Sequence, residues 1–505
     1  MEQEGSMAIL RSEELKNNRD EFIQNTFCKI FHRTALRYPD KTAVSDENCS
    51  LTYRELDEYS NFLAKHLVSL GVRREEIVAI QSGRHVKTVI GILAVWKAGA
   101  AYVFLDDCYP ESRNHKIQEE CGYRILLTDE YFSNLHMEPD NEYTDLSRRE
   151  DLAILVYTSG STSMPKGVMI EHRNITGSVS NFYRLGFNES DVVCLFASFS
   201  FVASVYDTCS SLASGATMEI IPEYRRKNID LIVRFYQEKH ITITFLPPHM
   251  AMKFMKYDES RLNLRALLVG SEPVRNLEPK SYRIINVYAA SETCSLAAAY
   301  DINSHEKCYP IGTLNPNLKG YIVNEDGKPV KPGTEGELWL AGPQITRGYF
   351  KRPERTREQF IDNPFDHEEG FGRIFKTRDI VRQLEDRNLQ YITRKDNMYK
   401  IRGFRVESGA VESAVLKCSE IKEVVVTAFT DSGGCNILCG YFVSDREIDV
   451  KLLKERLKSV IPYYMVPTCF IRLAQLPRNI NNKIDRSALK PPKELNDHKL
   501  LQKLY

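Results

Sequence analysis

Across its 505 residues the chain carries no excess charge of either sign: Lys plus Arg total 68, and Asp plus Glu total 68. Nucleic acid and anionic membrane surfaces select for a basic excess, so neither is expected as a partner. Long apolar runs are also missing. The longest, 88–105, is interrupted by Lys97 and Gly99, and divides better into a buried helix and a strand than into a membrane span. The first residues, with Glu2, Glu4, Arg11, Glu13 and Glu14, lack the apolar core of an export signal; a cytoplasmic protein with reduced thiols is expected. The 12 cysteines do not cluster as metal ligands, and even Cys435 and Cys439, the nearest pair, read as free thiols. Repeats and low-complexity tracts are absent.

What is present is ordinary globular composition, 42% apolar and 27% charged, on a chain too long for one core. Apolar spacing at Leu56, Tyr59, Leu63 and Leu67 predicts a helix over 53–70. A strand over 77–80, a helix over 86–96 and a strand over 102–105 follow, the β-α-β rhythm of parallel sheets. Further strands are expected at 193–196, 218–221, 241–245, 266–269 and 284–288. Near 393–405 the character changes to a dense basic segment. Beyond it, helix, strand, strand and helix (408–417, 424–428, 437–443, 450–458) suffice for a small α+β domain. The expected architecture is α/β: a large region of β-α-β sheets, 1–394, and a small mobile α+β domain, 395–505.

One stretch points to chemistry. Thr158-Ser159-Gly160-Ser161-Thr162-Ser163-Met164-Pro165-Lys166-Gly167 follows the apolar run Leu152-Ala153-Ile154-Leu155-Val156-Tyr157. Small and hydroxylic residues closed by Pro-Lys-Gly supply backbone N–H groups, hydroxyls and an ammonium to phosphate oxygens. The spacing is not that of the Walker loop, where Lys directly follows Gly and precedes Ser or Thr.

This loop resembles the phosphate loop of the adenylate-forming enzymes, and other segments match that superfamily in order. They include Leu51-Thr52-Tyr53-Arg54-Glu55-Leu56, Trp96-Lys97-Ala98-Gly99-Ala100-Ala101-Tyr102, Asn286-Val287-Tyr288-Ala289-Ala290-Ser291-Glu292, Gly336-Glu337-Leu338-Trp339, Arg347-Gly348-Tyr349, Lys376-Thr377-Arg378-Asp379 and Lys483-Ile484-Asp485-Arg486. The resemblance runs from about residue 30 to 490 and is nearest to stand-alone amino-acid adenylation domains of nonribosomal peptide synthetases. It implies ATP and Mg2+ as cofactors. Thr158, Ser159, Gly160, Ser161, Thr162 and Lys166 would hold phosphates; Asn286, Tyr288 and Ser291 would bind ATP or AMP, with Tyr288 stacked on the adenine. Asp379 would accept from the ribose hydroxyls, with Tyr391 and Arg394 nearby. Glu292 would bind magnesium, and Lys483 would bridge the substrate carboxylate and the α-phosphate. A second half-reaction is implied, in which a phosphopantetheine thiol of a carrier protein, acting in trans, takes the acyl group. For that step the small domain would rotate about Asp396 and bring Lys400 and Gly403 to the thiol's approach.

Departures from the family pattern carry information. Ser163, Arg378, Thr393 and Asn482 stand where glycine is usual, Ala289-Ala290 replaces Gly-Pro, and Phe104 replaces a proline; none removes a charged catalytic group. Most telling is Phe201-Val202-Ala203-Ser204, where the family has Phe-Asp-x-Ser and the Asp pairs with a substrate α-ammonium. A buried ammonium without its carboxylate loses roughly 3–5 kcal/mol. That is roughly a hundredfold to several thousandfold in affinity. By alignment the acyl pocket comprises Phe201, Val202, Ala203, Tyr206, Phe245, Leu267, Val269, Val287, Ser295 and Leu296. The expected substrate is a small hydrophobic carboxylic acid without an α-ammonium: a 2-oxo or 2-hydroxy acid, an aryl acid or a short aliphatic acid. Alternatives are an amino-acid enzyme, β-amino acids included, with a displaced carboxylate (Asp207 or Glu272), an acyl- or aryl-coenzyme A ligase, and a degenerate nucleotide-binding module.

Overall fold

The computed structural model describes residues 24–158, 165–396, 398–431, 436–478 and 484–492. Two of the family-like motifs prove to be local folding devices. In Leu51-Thr52-Tyr53-Arg54-Glu55-Leu56, Thr52 caps the helix Tyr53–Ser69: its side chain accepts from the Glu55 N–H, and the Glu55 carboxylate accepts from the Thr52 N–H at 2.8 Å. This reciprocal box satisfies two N–H groups that a helix start leaves open. In Trp96-Lys97-Ala98-Gly99, the helix Val86–Lys97 ends at a glycine with φ +75°. Lys97 is fully buried, and its ammonium donates to Asp57 Oδ1 (2.7 Å), Ser60 Oγ (2.7 Å) and Asn61 Oδ1 (2.6 Å). All of these come from the capped helix, so a paired buried charge locks the two helices together.

Among the described residues the strands form sheets of nine, six and five strands, a hairpin, and a three-stranded sheet. The nine-stranded sheet is parallel through Arg283–Ala290, Ala266–Gly270, Ile243–Leu246, Val192–Leu195, Thr217–Ile220 and Thr42–Ser45, with antiparallel edges. The six-stranded sheet runs Gly348–Tyr349, Lys166–Glu171, Leu152–Thr158, Ala101–Phe104, Ile77–Gln81, Leu126–Thr128. One core joins these two sheets and their helices, taking in Tyr53, Leu63, Trp96, Ile154, Leu195 and Val205. Arg84 ties the nine-stranded sheet to the loop before Val86, donating to the carbonyls of Ile221 and Ala197 at 2.7 Å each. The third sheet, antiparallel, contains Gly336–Ala341, Arg373–Gln383 and Leu389–Arg394.

After Arg394 the chain forms the hairpin Met398–Ile401 with Phe404–Glu407, then the helix Ser408–Val415 and the three-stranded sheet Glu423–Thr430, Asn436–Val443 and Cys469–Arg472. These carry a separate core around Val406, Val411, Val426, Leu438, Phe442 and Leu453. The mixed α/β fold with a large sheet-rich part and a smaller C-terminal part is the one expected. Among the described residues, no helix is long and apolar enough to cross a membrane.

Candidate active site

The large part presents the carboxyl ends of its parallel strands to one crevice, the usual ligand side of α/β sheets. Thr158 ends the strand Leu152–Thr158; Ala290 ends Arg283–Ala290 and leads into Ser291 and Glu292. Facing them, Asp379 lies on the strand Arg373–Gln383, paired in register with Arg394. The Asp379 carboxylate accepts from Tyr288 Oη at 2.5 Å and from Arg394 Nη1 at 2.7 Å. Burial, together with Asp379, pushes the Tyr288 phenol well above its ordinary value, so it stays a donor. Asn286, Val287, Tyr288, Asp379, Tyr391 and Arg394 line a cavity of about 110 Å³ that Glu272 and Lys400 also border.

A second cavity, about 140 Å³, adjoins it through Tyr288, Asp379, Arg394 and Lys400 and reaches Thr158, Ser291 and Glu292. Here Glu292, fully buried, is the focus of three donors. Its Oε1 accepts from Lys166 Nζ at 3.3 Å, Tyr349 Oη at 2.8 Å and Arg405 Nη1 at 2.9 Å, and Lys166 also stands 4.5 Å from the Tyr349 ring centroid. Burial opposes ionisation, but Arg405, then Lys166 and Tyr349 hold this carboxyl far below the usual range. Burial, with Arg405 adding to it, pulls the Lys166 ammonium down to about 7. Among the described residues, Glu292 Oε2 and Thr158 Oγ1 are buried without a hydrogen-bond partner. A hard anionic oxygen and a hydroxyl left open beside a lysine fit a magnesium ion and phosphate oxygens.

The same cavity is bordered by Phe201, Val202, Ala203 and Ser295, which together with Ala289 and Ala290 make its apolar end. Val202 opens the helix Val202–Ser214. The remaining residues aligned to the acyl pocket lie elsewhere. Leu267 and Val269 share one strand face and belong to a core with Phe235 and Phe254. Tyr206 and Leu296 are buried in the main core, and Phe245 is half-buried between the two cores. Asp207 is buried, its carboxyl pushed up to about 8 by burial against the pull of Arg84, and it does not border the cavity. Glu272 borders the first cavity instead, its carboxyl raised to about 7 by burial although the Gly403 N–H bonds it.

The basic hairpin closes the crevice from the small part. Gly403, at φ +85°, donates its N–H to Glu272 Oε1, and a Cβ there would stand 3.0 Å from Ser271 Oγ. Lys400 Nζ sits 5.6 Å from the Tyr288 ring centroid, Phe404 packs 5.1 Å from Phe201 and stacks on Tyr464 at 4.1 Å, and Arg405 reaches Glu292. The roles of Arg405 and Tyr349 escaped sequence reasoning. Tyr349 had a signal in its Arg-Gly-Tyr motif, whereas Arg405 read as one more charge in a basic segment. Ser159, Gly160, Ser161, Thr162 and Lys483, together with Ser163, Asn482 and Cys435, lie outside the described residues.

The crevice thus joins a buried carboxylate held by Tyr288 and Arg394 to a buried carboxylate–lysine pair with an oxygen left open. The chain belongs to the AMP-binding enzyme family, whose pattern matches residues 31–350; residues 410–483 match the AMP-binding enzyme C-terminal domain. Enzymes of this family are ATP-dependent, AMP-forming ligases that use Mg2+. The chain is 34% identical over 483 residues to bacitracin synthase 1 of Bacillus licheniformis, covering 92% of this chain and 9% of that protein. It is 35% identical over 490 residues to tyrocidine synthase 1 of Brevibacillus parabrevis, covering 92% and 45%. It thus spans less than half the length of these relatives. Among solved structures it resembles NpsA-ThdA, an artificially fused adenylation–PCP di-domain from Klebsiella oxytoca, with TM-score 0.80 and 26% identity over 89% of this chain and 94% of that one. It also resembles Klebsiella oxytoca NpsA in complex with 3-hydroxyanthranilyl-AMSN, with TM-score 0.65 and 25% identity over 95% and 99%.

Proposed function

We propose that this protein activates a hydrophobic carboxylic acid lacking an α-ammonium as its acyl-adenylate, then passes the acyl group to the phosphopantetheine thiol of a carrier protein acting in trans. The carrying observation is the apolar end of the site: Phe201, Val202, Ala203 and Ser295 offer no carboxylate to an amine. The two acids on that cavity are already engaged, Glu292 by Lys166 and Arg405, Asp379 by Tyr288 and Arg394. The structural relative NpsA, held with an aryl acyl analogue, supports placing aryl acids among the candidates.

In the first step a carboxylate oxygen bonds to the α-phosphorus of ATP, and the bond from that phosphorus to the bridging oxygen breaks, releasing pyrophosphate. Both reactants are anionic, so positioned cations and a fixed geometry supply the catalysis. Lys166 and Thr158 hold phosphate oxygens, Tyr288 and Asp379 hold the nucleoside, and Glu292 is the residue suited to magnesium, which when bound neutralises phosphate charge. Lys483 bridges carboxylate and phosphate. In the second step the thiol sulfur bonds to the acyl carbon and AMP leaves. The docked hairpin, with Gly403 at Glu272 and Lys400 over Tyr288, suits this step, and Asp396 is the hinge between the two arrangements.

The test is acid-dependent exchange of pyrophosphate into ATP, with a panel divided between α-amino acids and amine-free acids. Exchange with amine-free acids alone is expected; exchange at ordinary efficiency with a standard α-amino acid overturns the substrate assignment. Acyl transfer to a phosphopantetheinylated carrier, in preference to free coenzyme A, is expected in the second step.

A further inference from the structure

Arg378 stands beside the ribose carboxylate with φ +63°, the left-handed region that side chains avoid and glycine accepts. Its backbone is held from both sides: its N–H donates to Glu337 Oε1 at 3.0 Å, and its carbonyl accepts from the Lys395 N–H at 2.9 Å. The other Glu337 oxygen takes the Lys395 ammonium at 3.0 Å. The strand leaving the large part is therefore pinned up to residue 395, one residue before Asp396. That carboxylate is gripped by Arg394, through Nε at 2.8 Å and Nη2 at 3.0 Å. The Arg378 guanidinium approaches the same carboxylate, Nη1 to Oδ2 at 3.8 Å. Burial works against ionised Asp396, but Arg394, then Arg405 and Arg378 hold its carboxyl below the ordinary value. A glycine would satisfy this backbone without strain and contribute nothing to the carboxylate; the arginine adds a further cation, beside Arg394 and Arg405, where the chain turns.

The geometry points to Arg378 as a positioning residue that clamps the hinge carboxylate Asp396 and so biases the small part toward the docked hairpin that serves thiol transfer. The contact joins the two parts, because Arg378 lies on the strand Arg373–Gln383, while Asp396 introduces the hairpin. The consequence for catalysis rests on the two-step function proposed above; the contact and the docking do not. With the Arg378 side chain 36% exposed, the pair has the worth of a partly solvated ion pair, about two- to fivefold in a docking equilibrium.

The test compares the full chain with Arg378→Gly and Arg378→Lys. Without substrate, amide hydrogen exchange across 398–407 is expected to quicken about two- to fivefold in the glycine variant, with the strand Glu423–Thr430 unchanged. Arg378→Lys keeps the cation and is expected to restore the protection. Because glycine suits this backbone, the melting temperature should hold within about 3 °C. In turnover, acyl transfer slows by the same factor while pyrophosphate exchange is maintained or rises. Unchanged hairpin exchange in Arg378→Gly overturns the inference, as does an equal rise at 398–407 and 423–430. Wild-type protein that exchanges no pyrophosphate with any acid overturns the proposed function instead, and the hairpin measurement still decides the clamp.

Discussion

Val202 concentrates the question of substrate at one side chain. It is the first residue of the helix Val202–Ser214 and borders the apolar end of the cavity. A carboxylate at this position would face the positive end of the helix dipole, a favourable interaction of about 0.3–1 kcal/mol that offsets part of its burial. Val202→Asp is therefore expected to fold, to gain pyrophosphate exchange with apolar α-amino acids by about tenfold or more, and to lose exchange with the amine-free acid. Folded Val202→Asp protein with unaltered acid preference would remove Val202 from substrate selection. Glu292 illustrates the opposite kind of residue. It was legible from its motif, yet its partners Tyr349 and Arg405 lie 57 and 113 positions away, a distance over which no local pattern carries information.

Among the elements, the helices Tyr53–Ser69 and Val86–Lys97 show how a motif that reads as functional serves the fold. The ammonium of Lys97 is held by three side chains of the first helix, out of reach of water. Removing it leaves the Asp57 carboxylate, which His32 also contacts at 2.8 Å, short of a charged partner in the interior. Lys97→Met is expected to cost about 3–5 kcal/mol, read as a lowered denaturant midpoint, and Lys97→Met with Asp57→Leu should recover part of it. A midpoint within error of wild type would show that the pair is not holding these helices together. Periodicity located these helices to within a residue, and strand positions to within one or two, because both alternations are written in the apolar residues themselves. It did not say which strand face meets the crevice: Leu267 and Val269 point to the core with Phe254, while Ala266 and Leu268 join the other core.

At the scale of the whole molecule, the proposed second step depends on how the hairpin meets the large part. Gly403 is a point of close approach, since a side chain there would take strained backbone and press on Ser271. Gly403→Ala should leave pyrophosphate exchange near wild type and slow acyl transfer roughly 5- to 30-fold, the cost of one residue in left-handed backbone. Equal loss in both half-reactions, measured on folded protein, would mean that the hairpin is not specific to the second step. Local apolar periodicity and motif order were enough, from the sequence, for the α/β class, the order of elements and a large part followed by a small one, because each is written within a few residues. Tertiary structure alone decided that Arg405 meets Glu292, that Phe404 packs on Phe201, that Arg378 reaches Asp396, and which aligned pocket residues are core. Those outcomes depend on how separately folded parts dock, and docking is set by the summed fit of distant surfaces.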